Sequence, residues 1–405
     1  MEVNTSTYAM AVNISTIASN GTISPDHGAL IQALNDKMAH LMVPATVYIS
    51  VLMVFGLVGN LMVCYYYGVK TKLTTNTFFI VVLAFYDIIV CTISMPTEIA
   101  DIELYYTFAN SIACKMLRFV TYFAEIGSVF TLVAIAIDRF KKICRLTKPQ
   151  MGIRTAKFVS LGISGIAFML SWPSLVIYGS IQVPIQNTYG LHLMGLDCTS
   201  TKDVNYQKYV WVFNGLHFIL FVVFLVVLIV LYSIIGHKIF SHKKRLLKYK
   251  PNKKRTQSSI EVETSLSDCS KKADDTINAN EEGVTKPKIA TQSIVTSINP
   301  QSTVSKKSAK AKNALGIDSE AVKITVAMMI VTIVFIASFL PHLSLIVWRV
   351  VKRQHEAEFL SDPGLVWFKI GSRSWLLNCS LNPWIYGIFN SNFRQFFFGW
   401  MCRKR

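Results

Sequence analysis

The sequence predicts an all-α membrane protein, a seven-transmembrane helix bundle with a short amphipathic eighth helix. The first observation is composition: of 405 residues, 52% are hydrophobic and only 16% are charged, whereas soluble domains carry about 25% charged residues. The second is that seven charge-poor runs are each long enough for the ~20 residues with which a helix crosses a bilayer. Backbone groups in lipid must be hydrogen-bonded within their own segment, so these runs are helices.

The seven runs are separated by short charged segments. In chain order they cover residues 44–69, 76–100, 112–144, 156–179, 206–238, 321–351 and 364–389. Pro341 interrupts the sixth run and Pro383 the seventh. Each proline removes a backbone hydrogen bond and predicts a kink there.

The distribution of basic residues predicts the orientation. Lys and Arg are concentrated at one set of run ends, including residues 70–72, 141–157, 243–255 and 403–405, while the opposite ends are mixed or acidic. The positive-inside rule then predicts a multi-pass plasma-membrane protein with an extracellular amino terminus and a cytoplasmic carboxyl terminus. The net charge of +18 is mostly a cytoplasmic rim, and we expect no nucleic-acid partner.

Two further patterns agree with this orientation. Asn4, Asn13 and Asn20 each begin a glycosylation sequon, so residues 1–43 are predicted to be a flexible, glycosylated extracellular arm. Of the eight cysteines, only Cys114 and Cys198 lie on the predicted outer side, where oxidation is permitted.

The predicted cytoplasmic side has two features outside the helices. Residues 240–319 are rich in Ser, Thr, Asn and Lys, and this composition predicts a disordered third intracellular loop inserted within the membrane domain. Cys402 lies beside the basic end of the chain and is a candidate for lipidation by palmitate.

Several short motifs stand on the expected helices. They are "GNLMV" with Asn60, "LAFYD" with Asp87, Cys114, "DRF" with Arg139, Cys198, "SFLP" with Pro341, and "NPWIY" with Asn382, Pro383 and Tyr386. With these motifs the chain resembles a rhodopsin-like (class A) G-protein-coupled receptor of the neuropeptide-receptor type. The resemblance covers a receptor domain at residues 44–403, except for the loop at 240–319.

The resemblance implies a switch that couples to heterotrimeric G proteins when the sixth helix moves outward. The residues that match it are Asp138, Arg139, Tyr232, Phe335, Phe339, Pro341, Asn382, Pro383 and Tyr386. The alternative for Asp138 and Arg139 is that they only end a helix at the membrane interface. Phe339 stands where the family usually has tryptophan, which leaves the activation path through the sixth helix open.

Asp87 is an acid in the middle of a membrane run and needs a partner, because an ionised carboxylate there costs at least ~2.5–3.5 kcal/mol. The resemblance implies a sodium pocket formed by Asp87, Ser128, Asn378 and Asn382. The alternative is a water-filled polar cluster. No cofactor other than this ion is expected.

The ligand is less clearly indicated. The family's amine-binding aspartate is replaced by Thr121, and its retinal-binding lysine by Leu376, which argues against both ligand classes. Candidate ligand contacts, each alternatively a packing residue, are Thr121, Tyr122, Glu125, His217, His342, Arg349, Lys369 and Arg373. Glu125 is predicted either to bind a basic ligand group or to pair with Arg118 or Arg373. Residues 179–205 resemble the β-hairpin lid of peptide receptors, held by Cys198 to Cys114, which favours a neuropeptide.

Signal termination is predicted in the third intracellular loop, since the chain stops directly after the eighth helix. Thr256–Ser270 interleaves hydroxyl and acidic side chains, and we expect a receptor kinase and arrestin to act there, with an unmodified linker as the alternative.

Other classes of protein explain fewer features. The sequence has no metal-ligand cluster, glycine-rich phosphate loop or nucleophile–base pattern, so it is not predicted to be an enzyme. A receptor for a lipid or other small molecule is the alternative within the family. A transporter or channel would use Asp87 and Glu125 as an ion path, but repeated halves typical of transporters are not visible.

Overall fold

The computed structural model describes residues 27–185, 193–248, 319–352 and 360–402. Within these residues, six helices are long and apolar enough to cross a membrane. Named spans 1 to 6 in chain order, they are Val43–Lys70, Thr75–Glu103, Ser111–Cys144, Ile153–Ile177, Val204–His242 and Val322–Trp348. Their bounds lie within a few residues of the first six predicted runs. The predicted sequons at Asn4, Asn13 and Asn20 lie outside the described residues.

The seventh predicted run is divided into two helices, Asp362–Ser372 and Leu376–Phe389, which we call segment 7. Pro383 lies inside the second helix, where the kink stays a prediction, and the division between the two helices falls at residues 373–375. There the N–H groups of Leu376 and Leu377 bond to carbonyls three residues earlier, at 3.1 and 3.0 Å, which tightens the chain into a 3₁₀-type turn. A further helix, Ser391–Cys402, follows where the eighth helix was predicted.

Span 2 contains an irregular turn that the sequence analysis missed. It consists of an α-helix Thr75–Ile89, a π-helical turn Val90–Ser94 and a second α-helix Met95–Glu103. The N–H of Met95 bonds to the carbonyl of Val90, five residues earlier. Pro96, which has no N–H to donate, follows directly. One extra residue in a turn rotates everything after it by ~100° about the helix axis, and this sets which face the end of span 2 presents.

Local sequence signals begin two of the spans. Asn110 precedes span 3, and its Oδ1 accepts the N–H of Ala113 at 2.9 Å. Thr74 forms a capping box with Thr77 at the start of span 2. Both residues satisfy N–H groups that a helix start leaves without intrahelical partners.

The spans pack into a bundle with apolar side chains on its outside. Span 3 packs against spans 2, 4 and 6, while segment 7 packs against spans 1 and 6. Close approach depends on glycine: a Cβ at Gly127 would lie 2.3 Å from the ring of Tyr86, and one at Gly59 would lie 2.7 Å from Pro383. Span 1 exposes large apolar side chains on its outer face, as lipid requires. These include Val47, Val51, Val54, Phe55, Val58 and Leu61.

The predicted hairpin and disulfide are confirmed. Strand β1, Tyr178–Ile185, pairs antiparallel with β2, Leu193–Ser200. Cys198 of β2 is bonded to Cys114 at the start of span 3. The hairpin is therefore fixed covalently to the outer end of span 3.

The flexibility predicted for residues 1–43 is wrong for the part that the structure describes. Residues His27–Leu41 form an amphipathic helix. Its apolar side packs on the turn after span 2 and on the hairpin, in a cluster of Leu30, Tyr105, Tyr106, Val183, Ile185 and Leu193. Asn35, which is 3% exposed, donates to the carbonyl of Glu103 at 2.9 Å and accepts the N–H of Tyr106 at 3.0 Å. Burial and these two bonds hold the helix in place.

The disorder predicted for residues 240–319 is wrong at its amino-terminal edge. The helix that contains span 5 runs as Val204–Lys248, so residues 240–248 are helical. The helix that contains span 6 begins at Ser319. Residues 249–318, which carry the predicted phosphorylation segment, lie outside the described residues.

Candidate functional site

Four charged side chains meet at the outer end of the bundle, and we call them the outer charge cluster: Glu98 and Asp101 of span 2, Arg118 of span 3 and Arg373 of segment 7. Arg118 contacts Glu98 and Asp101 through its two terminal nitrogens, each at 2.8 Å. Arg373 contacts the same acids at 2.9 and 3.1 Å. Each arginine thus bridges both carboxylates, and the cluster is neutral overall.

The outer charge cluster joins three parts of the bundle and the hairpin. Its side chains are only 7–16% exposed, and Arg118 also donates to the carbonyl of Cys198 at 3.4 Å. The pairing of Glu125 with Arg118 or Arg373 suggested by the sequence is therefore not what the structure shows, because Glu98 and Asp101 hold both arginines. Sequence reasoning missed these two acids as partners of the arginines. The available signal was Pro96, which indicates an irregular turn just before them and therefore a change in the face on which they lie.

A second group of candidate ligand residues surrounds Tyr122 of span 3. Its hydroxyl lies 2.8 Å from that of Tyr178 at the base of the hairpin. Its ring contacts those of Phe213 and His217 of span 5, with centroids 5.1 and 5.3 Å apart. The Nδ1 atom of His217 lies 2.8 Å from the carbonyl of Phe213. The hydroxyl of Thr121 does not bond to this group, because it donates to the carbonyl of Leu117 in its own helix.

The remaining candidates differ in their contacts. His342 hydrogen-bonds to the carbonyl of Ser372 through its Nδ1, next to the division in segment 7. The ammonium of Lys369 lies 4.7 Å from the centroid of the Tyr105 ring. Glu125 is half-buried and has no hydrogen bond or ion pair within the described residues. The side chain of Arg349 lies outside what the structure describes.

A row of aromatic rings runs from the division in segment 7 to the middle of span 6. The ring of His342 contacts Trp375 on one side, at 6.4 Å between centroids, and Phe339 on the other, at 6.2 Å. Phe339 in turn contacts Phe335 at 4.6 Å and Phe221 of span 5 at 5.3 Å. The two phenylalanines that match the switch therefore lie buried between spans 5 and 6, and Phe339 links them to His342.

Asp87 lies at the centre of a buried polar core. Asn382 donates to Asp87 Oδ2 at 2.8 Å, and Ser128 donates to Oδ1 at 3.3 Å. Asn378 is buried as well, and its Oδ1, like that of Asn382, has no hydrogen-bond partner within the described residues. The buried side chain of Cys379 is a further neighbour of Asp87, which sequence reasoning missed. The structure thus brings Asp87, Ser128 and Asn382 together.

The core also ties span 1 to segment 7. Asn60 donates to the carbonyl of Cys379 at 2.9 Å, and Ser380 donates to that of Leu52 at 2.9 Å. Pro383 packs against Gly59. Span 1 and the second helix of segment 7 are therefore held together by bonds as well as by packing.

The inner end of span 3 carries the charged switch residues. Asp138 forms an ion pair with Arg139 and a second one with Lys142, the latter at 2.9 Å. Asp138 and Arg139 are 1% and 2% exposed, so they do not simply end the helix in water. Tyr232 of span 5 lies near enough to Arg139 to interact with it electrostatically. The buried hydroxyl of Tyr386 has no hydrogen-bond partner within the described part of the chain.

These features define a helical membrane protein in which one long helix carries a disulfide-bonded hairpin at its outer end and a buried acid–arginine pair at its inner end. The family model described as 7 transmembrane receptor (rhodopsin family) matches residues 59–386. The chain belongs to this family, which confirms the resemblance and the seven-transmembrane, multi-pass membrane fold.

Individual relatives match shorter parts of the chain. It is 34% identical over 162 residues to neuropeptide FF receptor 2 of Mus musculus, which covers 39% of this chain and 38% of the relative. It is 29% identical over 197 residues to the C3a anaphylatoxin chemotactic receptor of Oncorhynchus mykiss, covering 47% and 53%. It is 30% identical over 135 residues to the RYamide receptor of Drosophila melanogaster, covering 33% and 29%. The matched parts thus span about half or less of each relative.

Proposed function

We propose that this protein is a cell-surface receptor that binds an extracellular peptide and activates heterotrimeric G proteins. The observation that carries the proposal is the construction of span 3. Its outer end is bonded to the hairpin through Cys114 and Cys198, and its inner end holds Arg139 through Asp138. Family membership and the similarity to receptors named for neuropeptides support the same function.

The proposed peptide site lies at the outer end of the bundle. The hairpin, the amino-terminal helix His27–Leu41 and the outer charge cluster provide polar and apolar surface close together. A peptide offers both kinds of group along its length. A lipid ligand would favour an apolar entrance, and four clustered charges do not supply one.

Transmission to the inner end is proposed to use span 6. Phe339 and Phe335 pack against Phe221 of span 5, and Pro341 lies in the same helix, where it removes one backbone bond. A ligand that shifts His342 would shift Phe339 with it. Outward movement of span 6 would then uncover Arg139 for the G protein, with Tyr232 and Tyr386 as its new neighbours.

The polar core is proposed to bind a sodium ion. The donor set fits a hard cation, since Asp87 supplies a carboxylate, and Ser128, Asn378 and Asn382 supply neutral oxygens. Two of these oxygens, the Oδ1 atoms of Asn378 and Asn382, are buried without a hydrogen-bond partner within the described residues. A bound cation would neutralise the carboxylate and stabilise this packing of spans 2, 3 and 7.

The orientation and the regulatory partners are part of the same proposal. The sequons at Asn4, Asn13 and Asn20 support an extracellular amino terminus, and Cys402 is the proposed palmitate site on the cytoplasmic side. Thr256–Ser270 is proposed to be phosphorylated by a receptor kinase and then to bind arrestin.

Glycosidase treatment of cell-expressed protein tests the orientation: it should increase electrophoretic mobility, and Asn→Gln changes at all three sequons should remove the shift.

The function is tested by screening cells that express the full chain with a library of amidated peptides, using calcium and cAMP readouts. A peptide that elicits a response in wild type and none in Arg139→Ala, at equal surface expression, supports the proposal. Arg154→Ala, which removes an exposed arginine at the inner side, is the matched control and should respond normally. A response to lipid extracts alone, or ion flux without G protein, would favour the alternative classes and contradict the proposal.

A further inference from the structure

Glu125 has no counter-ion within the described residues, although two arginines lie in the same half of the bundle. Arg118 and Arg373 are each bonded to both Glu98 and Asp101, with all four distances between 2.8 and 3.1 Å. Together with Glu125, these side chains comprise three acids and two bases. The outer charge cluster is neutral, so Glu125, when ionised, adds a negative charge that has no basic partner among the described residues.

The position of Glu125 places this charge inside the bundle and within reach of a ligand. Glu125 lies one helical turn from Ser128, whose hydroxyl donates to Asp87 in the polar core. It also lies one turn from the buried Thr121, so it is on the face of span 3 that points to the interior rather than to lipid. It is only half-buried, whereas its neighbours Ala124 and Ile126 are buried. A side chain that faces the interior and is still partly accessible lines a space between the helices.

The arginines cannot turn to Glu125 without a cost. Arg373 holds two carboxylates at 2.9 and 3.1 Å, and moving it would leave both acids with one partner fewer. Breaking a buried ion pair is strongly destabilising because it leaves an uncompensated charge. A cation that enters from outside neutralises Glu125 and leaves the outer charge cluster intact.

We infer that Glu125 binds a cationic group of the ligand, a guanidinium or ammonium carried by the peptide. This inference rests on the proposed peptide-receptor function and names the chemistry recognised at that site. Arg118 and Arg373 are both engaged by acids and are not free to bind a carboxylate of the ligand, which Glu125 would also repel. The cationic group can be an arginine or lysine side chain or a free amino terminus.

The test uses the full-length receptor in cells and the active peptides from the library. Each active peptide is compared with an analogue in which arginine is replaced by its neutral isostere citrulline, or lysine by acetyl-lysine, and with one whose amino terminus is acetylated. Losing one partner of a buried ion pair at an interface should weaken binding by about 30-fold or more. One of these neutral analogues should show that loss in wild type, and it identifies which cation is bound.

Two variants assign the effect to Glu125. In Glu125→Gln the charged peptide should lose about 30-fold in potency and the neutral analogue should lose nothing, so that the two become equal. Asp203→Asn is the matched control: it removes an exposed outer acid but keeps an oxygen for the N–H of Asn205, and the preference for the charged peptide should persist. Glu125→Lys should reverse the preference toward a peptide with glutamate at the identified position.

The outcomes separate this inference from the function on which it rests. If wild type responds to no peptide, the peptide-receptor proposal is wrong. If wild type responds but every neutral analogue is as potent as its parent, or if Glu125→Gln keeps the charge preference at normal surface expression, the inference is wrong and the receptor function stands.

Discussion

The outer and inner halves of the bundle treat their polar groups differently. At the outer end, both arginines bridge both acids, and Asn35 uses its amide oxygen and nitrogen on backbone groups. At the outer end, Arg118 Nε and His217 Nε2 are buried without a hydrogen-bond partner within the described residues, and a larger set of such atoms lies in the middle and at the inner end. This set includes the Oδ1 atoms of Asn60, Asn378 and Asn382, the Nε of Arg139 and the hydroxyl of Tyr386.

This difference indicates where the molecule can change. A buried network in which every charge is paired resists movement, because breaking a buried ion pair leaves an uncompensated charge. Groups that already lack a partner lose nothing when the helices move, and they gain if a second arrangement or an ion satisfies them. The outer end therefore has the properties of a rigid frame, and the inner half those of a switch.

The largest expected effect is at the outer charge cluster. Arg373→Ala leaves Glu98 and Asp101 with a single arginine between them, and we expect the free energy of unfolding to fall by about 3–5 kcal/mol. Thermal denaturation of detergent-solubilised receptor measures this, with a thiol-reactive dye reporting exposure of the buried Cys91 and Cys379.

Two variants make this measurement specific. Arg154→Ala removes an exposed arginine and should leave the midpoint unchanged. The double variant Glu98→Gln/Arg373→Gln should be more stable than Arg373→Ala, because no buried charge is left without compensation there. Equal losses in Arg373→Ala and Arg154→Ala would contradict the rigid frame.

The next effect concerns sodium at the polar core. Sodium chloride should raise the thermal midpoint of wild type, and a concentration 100 times the dissociation constant corresponds to about 2.7 kcal/mol. Asp87→Asn should abolish this gain, because an amide oxygen cannot neutralise a cation. Choline chloride at the same ionic strength is the control for screening, and an equal gain with choline would rule out a specific ion.

The amino-terminal helix tests the outer end further. Asn35→Ala leaves the N–H of Tyr106 and the carbonyl of Glu103 without their side-chain partner, at about 1–3 kcal/mol. We expect residues 27–41 to separate from the hairpin while the spans remain folded. Hydrogen exchange should then increase in this helix alone. The exposed Gln32→Ala is the control, and exchange that rises equally in both variants would show that Asn35 does not anchor the helix.

The smallest effect compares two tyrosines by the same chemical change. Tyr122→Phe loses the bond to the Tyr178 hydroxyl and should lower the free energy of unfolding by about 1 kcal/mol. Tyr386→Phe removes a hydroxyl without a partner in the described residues and should leave stability unchanged or raise it, while reducing the G-protein response. Equal destabilisation by both changes would remove the distinction between the two halves.

The spanning helices were predictable because lipid imposes a simple rule on length and composition. Six of the seven runs appear within a few residues of their predicted ends. The division of segment 7 at residues 373–375 was not predicted, because no proline marks it. The amino-terminal helix had a signal in the spacing of Leu30, Leu34 and Met38, which is typical of one helix face.

The site was less predictable, because it depends on which way side chains face. The resemblance grouped Asp87, Ser128 and Asn382, and the structure shows hydrogen bonds from Ser128 and Asn382 to Asp87. Glu98 and Asp101 were missed as partners of the arginines, because the π-helical turn at Val90–Ser94 rotates them relative to a regular helix. Which side chains pair across helices depends on how each helix is rotated about its axis. A single sequence indicates that rotation only where a residue such as Pro96 marks an irregular turn.

The π-helical turn in span 2 makes chain length itself a determinant of recognition. Deleting one residue within Val90–Ser94 would remove the π-helical turn and turn Glu98 and Asp101 by ~100° away from their arginines. Arg118 and Arg373 would then be free to accept an anion, and the preferred charge of the ligand would invert. On the inference that Glu125 binds a cationic ligand group, a single-codon deletion with no substitution anywhere would shift the preference from basic toward acidic peptides.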